Sequence, residues 1–311
     1  MTDGPGEMRR GEADPTGLPP GSGVIYVATG KRVYTDLALR SAASLKRSNP
    51  ALGIDLFTDR DPGAGVFDRV HILSETWHRS RIDAMRLSRF ARTMMIDCDT
   101  IVIGDLTPAF QVLDRFDIGL AYDYRPNGTL NHTVWRHSVP AAMPQFNGGV
   151  IVYRMSEAVD RFLADWSAAV KDHDIGRDQP TLRELLYLSD LRIVTLPEAF
   201  NLLKVDNIAT WDQFCLAPRI IHSPHFHAEF DRYARAPDPV QERLGLRLSW
   251  RLRLLRGSDR ALAAAEGRPV SPWGRAELRR GWLWILPRAP RRIWSALLRR
   301  LDRARSRFRG R

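Results

Sequence analysis

Two aspartates one residue apart, Asp97 and Asp99, stand directly after the apolar run Thr93 to Ile96 and directly before another, Thr100 to Ile103. At a strand end, where the backbone turns, two carboxylates at this spacing can approach one hard divalent cation. Magnesium or manganese suits such oxygen ligands and keeps positions open for phosphate oxygens. Acids flanked so closely by apolar residues are expensive to bury unless they are paired or metal-bound. The competing reading is two exposed acids on a turn between strands. Asn147-Gly148-Gly149 opens a second apolar run, Val150 to Tyr153. Its glycines let the backbone come close to a ligand, and the Asn147 amide can both donate and accept hydrogen bonds. A tight turn after Pro144 fits the same residues. Asp178-Gln179-Pro180 precedes a helical pattern, in which Asp178 could simply be an N-cap. His222-Ser223-Pro224-His225-Phe226-His227 offers three imidazoles after a short apolar strand, and one of them could complete a metal site.

The elements that must position these groups follow an α/β alternation from Gly23 onward. Strands are predicted over Val24 to Thr29, Ile54 to Thr58, Val70 to Leu73 and Thr93 to Ile96, with helices over Thr35 to Arg47 and Ile82 to Phe90. Asn49-Pro50 stops the first helix, and Asp59 to Gly63 is a strong turn signal. Farther on, Ile118 to Tyr122, Gly148 to Tyr153, Arg192 to Leu196 and Arg219 to Ile221 read as strands. Glu157 to Val170 and Pro180 to Leu188 read as helices. Between them Arg125 to Pro144 is a polar stretch with little pattern, either a functional lid or a variable surface loop.

Composition narrows the class. With 44% hydrophobic and 27% charged residues over 311 positions, the chain is globular rather than disordered. Its longest apolar anchor, Trp282 to Leu286, is far short of the roughly 20 residues a spanning helix needs. Met1 to Ser22 lacks the apolar core of a signal peptide and is expected to be a disordered leader of a cytoplasmic protein. Two cysteines, Cys98 and Cys215, exclude a disulfide framework or a cysteine zinc site. The net charge of +11 is unevenly placed: residues 241–311 carry 20 arginines against five acids, leaving 27 basic and 31 acidic groups in the rest. The body therefore gives no reason to expect nucleic acid as a partner.

Taken together, several stretches carry a resemblance: Val24-Ile25-Tyr26-Val27-Ala28-Thr29-Gly30, the segment Arg81 to Thr100, Phe146-Asn147-Gly148-Gly149-Val150, Asp178-Gln179 and Ile220-Ile221-His222. In order and spacing they resemble nucleotide-diphospho-sugar glycosyltransferases of the GT-A fold, in the family 8 branch around glycogenin and the bacterial lipooligosaccharide galactosyltransferases. The resemblance implies a Rossmann-like open mixed sheet flanked by helices, over about residues 23–235. It implies that Asp97, Asp99 and His222 hold Mn2+ or Mg2+, with His225 in reserve, and that Asp97 also touches the donor ribose. Ala28, Thr29 and Gly30 would line the base and ribose, and Arg81 the diphosphate. Asn147, Gly148 and Asp178 would hold the donor sugar, with Gln179 near the anomeric carbon and Asp178 and Gln179 as catalytic candidates. Asp123 is the one candidate for acceptor contact.

The implied reaction is metal-assisted transfer from a nucleotide-diphosphate sugar, a UDP-sugar with retention of configuration by resemblance, to a glycan or lipid-linked saccharide. An inactive domain that binds nucleotide sugar or glycan, or a sugar nucleotidyltransferase, stands as the alternative. After residue 235 the composition turns to Arg, Trp, Leu and Ala. Ile293, Trp294, Leu297, Leu298 and Leu301 fall on one helical face, with Arg291, Arg292, Arg299, Arg300 and Arg303 elsewhere around it. Residues 236–311 are therefore expected to form a basic amphipathic tail that meets an anionic membrane, placing the protein peripherally on the inner face of the cell membrane in cell-surface polysaccharide synthesis. A helix packed on the body, or a nucleic-acid contact, are the other readings of that tail.

Overall fold

The computed structural model describes residues 17–63, 65–172 and 177–271. Of the expected leader Met1 to Ser22, residues 1–16 lie outside the described residues, as does the amphipathic pattern around Ile293 to Leu301; the rest is ordered, with Leu18 packed on the hydrophobic core and Ser22 opening the first strand. Seven strands form one mixed sheet: β1 (Ser22–Ala28), β2 (Gly53–Thr58), β3 (Arg69–Ile72), β4 (Arg92–Ile96), β6 (Ile118–Tyr122), β7 (Phe146–Arg154) and β8 (Ile193–Leu196). Their order is β3-β2-β1-β4-β7-β6-β8. β3, β2, β1 and β4 run parallel, and β7 lies antiparallel between β4 and β6. β5 (Thr100–Val102) and β9 (Ile220–His222) make a second, two-stranded antiparallel sheet.

Alternate residues of the central strands feed two cores, which is why these strands read as continuous apolar runs. Val24 and Tyr26 of β1, Met94 and Ile96 of β4, and Val150 and Val152 of β7 face one layer. Ile25, Met95, Ile151 and Tyr153 face the other. The first layer is covered by α1 (Arg32–Ser48) through Leu37, Ala38, Ala42 and Leu45, and by α3 (Thr107–Gln111) through Phe110. The second is covered by α2 (Ser80–Arg86), α5 (Glu157–Asp172) and α6 (Gln179–Leu188), with Trp166 fully buried. A buried hydroxyl chain, Tyr26 to Ser41 at 2.9 Å and Ser41 to Thr100 at 2.7 Å, pins α1 between β1 and β5. The stretch Arg125 to Pro144 contains one short helix, α4 (Thr129–His132), and is tied to α6. Glu184 accepts from the backbone N–H groups of Arg136 and His137 at 3.0 and 2.7 Å, and Arg183 donates to the carbonyls of Pro140 and Met143 at 2.8 and 2.9 Å.

Beyond β9 come α7 (His225–Ala228), α8 (Phe230–Arg235), α9 (Pro239–Ser258, kinked at Gly245) and α10 (Arg260–Ala265). Leu244, Leu252, Leu255 and Leu262 enter the first core, so the described part of the segment after residue 235 packs on the sheet domain. Among the described residues no helix is long and apolar enough to cross a membrane. The α9–α10 junction is fastened by Asp259, which accepts from the Ala217 backbone N–H at 2.7 Å, from Arg219 Nη1 at 2.9 Å and from the Leu262 N–H at 3.0 Å. Arg219 and Asp259 are both almost fully buried. Burial works against the Asp259 carboxylate, but Arg219 and the two backbone donors outweigh it and hold its pKa below the usual value. We expect Asp259→Ala to cost about 3–5 kcal/mol in urea denaturation, because it strands a buried guanidinium. The wild-type contribution should be whole above the unfolded carboxylate pKa, near 4, and lost as pH falls through the lower folded value.

Candidate active site

Strand pairing alone brings the separated motifs together. β4 ends at Ile96, paired with Val150 of β7, so Asp97 emerges beside Asn147-Gly148-Gly149; its backbone N–H donates to the Gly149 carbonyl at 2.7 Å. On the other side the β5–β9 register sets Thr100 against His222, and the Ser223 N–H donates to the Asp99 carbonyl at 3.0 Å. Cys98 turns inward and its Sγ lies 3.3 Å from the Val27 carbonyl, while both acids stay partly exposed beyond the carboxyl end of β4. Burial, reinforced by the neighbouring Asp97 and Asp99, pushes the Cys98 thiol well up, so it stays protonated and packs as an apolar group.

Asp97, Asp99 and His222 each present one ligand atom, all within 4.8 Å of one another. His222 Nε2 is 3.2 Å from Asp99 Oδ1 and 3.9 Å from Asp97 Oδ2. The ring's other nitrogen is occupied: Nδ1 lies 2.9 Å from Asn201 Oδ1. Two carboxylates and an imidazole with its outer nitrogen already bonded are the donor set a divalent cation takes. Burial favours neutral forms here, yet the pair outweighs it in both directions: His222 holds the Asp99 carboxyl below its usual range, and Asp99 lifts the His222 pKa. Gly149 is required by this crowding. A Cβ there would stand 2.3 Å from His222 Cε1 and 2.8 Å from Asp97 Oδ2.

Arg81, on α2, joins Asp97 to Asp178. Its Nη1 donates to both Asp97 oxygens at 2.8 and 3.0 Å, and its Nη2 donates to Asp178 Oδ2. Asp178 is 3% exposed; burial opposes its ionisation, but Arg81 and Arg79 prevail and hold its pKa below the usual range. Asp178 stands at the α6 N-terminus but caps nothing with its side chain, which is committed to the two guanidinium groups. Gln179, also buried, donates through Nε2 to the Phe146 carbonyl at 3.2 Å and lies 3.4 Å from Asp123 Oδ2. Asp123 thus sits beside Gln179, its oxygens also taking Arg125. At the end of β1, Ala28 is buried and Gly30 turns with φ +86, its N–H bonded to Asp59 Oδ2 at 2.7 Å. Gly148 lies against Arg81. The reserve ligand His225 is elsewhere: it is exposed and paired with Glu229 at 2.9 Å.

Two residues of this cluster escape sequence reasoning. Arg79 lies at the N-terminal flank of α2, 3.4 Å from Asp178, and looks like any surface arginine in the chain. Asn201 follows the 3-10 turn Glu198–Phe200 and belongs to no periodic pattern, although Asn201 Nδ2 donates to Asn147 Oδ1 at 2.9 Å.

Comparison with known proteins places the chain in a family. The family model described as nucleotide-diphospho-sugar transferase matches residues 41–225. No curated protein matches the chain. Among solved structures, the glycosyltransferase GlyE of Streptococcus pneumoniae is 19% identical, with a TM-score of 0.45 over 65% of this chain and 54% of that one. The galactosyltransferase LgtC, solved with donor and acceptor sugar analogs, is 14% identical, with a TM-score of 0.47 over 65% of this chain and 86% of LgtC. The bifunctional glycosyltransferase WbbM is 14% identical, with a TM-score of 0.47 over 74% of this chain and 51% of that one. The present chain therefore spans only about half the length of two of these three. The family match covers more than half of the sequence and contains the acids, Asn147, Asp178 and His222. The chain therefore belongs to the nucleotide-diphospho-sugar transferase family.

Proposed function

We propose that this protein is an active, metal-dependent glycosyltransferase that moves a sugar from a UDP-sugar, with retention, to a glycan or lipid-linked saccharide of a cell-surface polysaccharide. The observation that carries the reading is the convergence of Asp97, Asp99 and His222 beside the Arg81–Asp178 ion pair. Asp97, Asp99 and His222 would hold Mn2+ or Mg2+, which when bound supplies Lewis-acid stabilisation to a diphosphate leaving group. Arg81 adds a fixed positive charge next to Asp97, where negative charge would build on the departing diphosphate. Ala28, Thr29 and Gly30 would line the nucleoside, and Asn147, Gly148 and Asp178 would receive the sugar.

The chemistry of the residues argues against a covalent sugar–enzyme intermediate. Asp178 is held by two guanidinium groups and is a weak nucleophile for that reason. Gln179 is an amide whose Nε2 is turned to the Phe146 carbonyl, leaving Oε1 to stabilise positive charge at the anomeric carbon. Front-face transfer fits this set: the bond from the anomeric carbon to the phosphate oxygen breaks as the acceptor oxygen bonds on the same face. The acceptor proton passes to the leaving phosphate. Asp123, beside Gln179, would orient the acceptor hydroxyl. The basic segment after residue 271 would hold the enzyme on the inner membrane face near a lipid-linked acceptor, each basic residue contributing about 1 kcal/mol at an anionic surface.

With Mn2+ and no acceptor, the wild-type protein should slowly hydrolyse at least one member of a UDP-sugar panel. Asp99→Ala should lower that rate about 100-fold or more. Gly149→Ala should do the same without losing the fold, since its methyl displaces His222 and Asp97. No turnover with any donor would favour a domain that only binds nucleotide sugars. For the tail, a chain ending at residue 271 should keep its thermal melt and lose binding to anionic vesicles. Full retention of vesicle binding would remove the membrane role.

A further inference from the structure

The amide network behind His222 can be assigned without choice, because it begins on a backbone group. The Gly149 N–H is a donor by necessity, so the Asn147 atom 2.9 Å from it is the carbonyl oxygen Oδ1. Asn201 meets that same oxygen at 2.9 Å and must do so with its amide nitrogen. Its own Oδ1 is then the atom facing His222 Nδ1 at 2.9 Å, and an amide oxygen only accepts. The proton therefore lies on Nδ1. In the neutral ring the lone pair lies on Nε2, the nitrogen facing Asp99 Oδ1 and Asp97 Oδ2. Asn201 is 1% exposed, and His222 5%, so water has little access to rescue the opposite tautomer.

From this we infer that Asn201 is a positioning residue: it locks His222 in the Nδ1–H tautomer and so keeps Nε2 bare toward a divalent cation. The geometry stands by itself; its use in catalysis rests on the metal-centred reading given above. A neutral histidine in water is free to carry its proton on either nitrogen, and a proton on Nε2 blocks coordination. The lock reaches from the Gly149 backbone through Asn147 and Asn201 to the ring. The ligand's state is thus set by the same β7 residues that flank the acids.

Long-range proton–nitrogen NMR of the neutral His222 ring is the first test, with Nδ1 protonated and Nε2 bare as the expected result. Asn201→Leu should let the proton redistribute and weaken binding of Mn2+ alone, followed by electron paramagnetic resonance, about tenfold or more. Asn201→Asp keeps an oxygen for Nδ1–H but loses the donation to Asn147 Oδ1, so it should keep the tautomer and more of the Mn2+ affinity than Asn201→Leu does. A wild-type ring with Nδ1 bare would overturn the inference. So would a folded Asn201→Leu protein with unchanged tautomer and unchanged Mn2+ affinity. If Asn201→Leu fails to fold, the wild-type tautomer and the Asn201→Asp protein decide. A wild-type protein that binds no Mn2+ would sink the metal reading instead, and the tautomer alone would then decide the role of Asn201.

Discussion

Three carboxylates converge at the carboxyl end of the central strands, and the site exists only because their charge is answered. Asp97, Asp99 and Asp178 come from two distant parts of the chain, yet Arg81 touches two of them and His222 the third. Crowding like charges in a half-buried cluster is unfavourable, and each carboxylate here has an arginine or a histidine nitrogen within hydrogen-bond reach. The balance is tight on the Asp178 side, where two arginines share one buried acid. It is looser around Asp97 and Asp99, which present oxygens toward a single histidine nitrogen. The uneven balance marks the place where an added cation gains most.

Sheet registers enforce that arrangement more than side-chain contacts do. The antiparallel insertion of β7 beside β4 delivers Asn147 and Gly149 to Asp97, and the small β5–β9 sheet delivers His222 to Asp99. Both depend on glycine or small polar residues at close approaches, with Gly149 leaving no room for a methyl group. The C-terminal helices add to the same frame. Arg243 of α9 donates to Ser223, the residue after the histidine, at 2.9 Å, and Asp259 ties the α9–α10 junction to Ala217 and Arg219 just before β9.

Much of this was legible in the residues. Strands buried on both faces announce themselves as apolar runs, and β1, β2, β4, β6 and β7 lie within a few residues of their expected bounds. Asp97 and Asp99 were visible because acids between two such runs need a reason. What periodicity could not reach was pairing across the chain. Asp178 has the local signature of an N-cap, and only tertiary packing turns its side chain to Arg81 and Arg79 instead. Asn201 and Arg79 are single polar residues whose meaning lies in partners more than 20 residues away in sequence. The packing of α9 and α10 was hidden by arginines. Leu244, Leu252 and Leu255 are buried on a helix whose charged residues are so many that its composition reads as a tail.

The central claim is that Asp97, Asp99 and His222 share one divalent cation in the presence of a nucleotide diphosphate. Anomalous diffraction at the manganese edge, from crystals of the full chain soaked with Mn2+ and UDP, tests it directly. The account predicts one strong peak at coordination distance, about 2–2.3 Å, from His222 Nε2 and from oxygens of both aspartates. Nucleotide density with no manganese peak between those three side chains, or with manganese bound elsewhere, would contradict it.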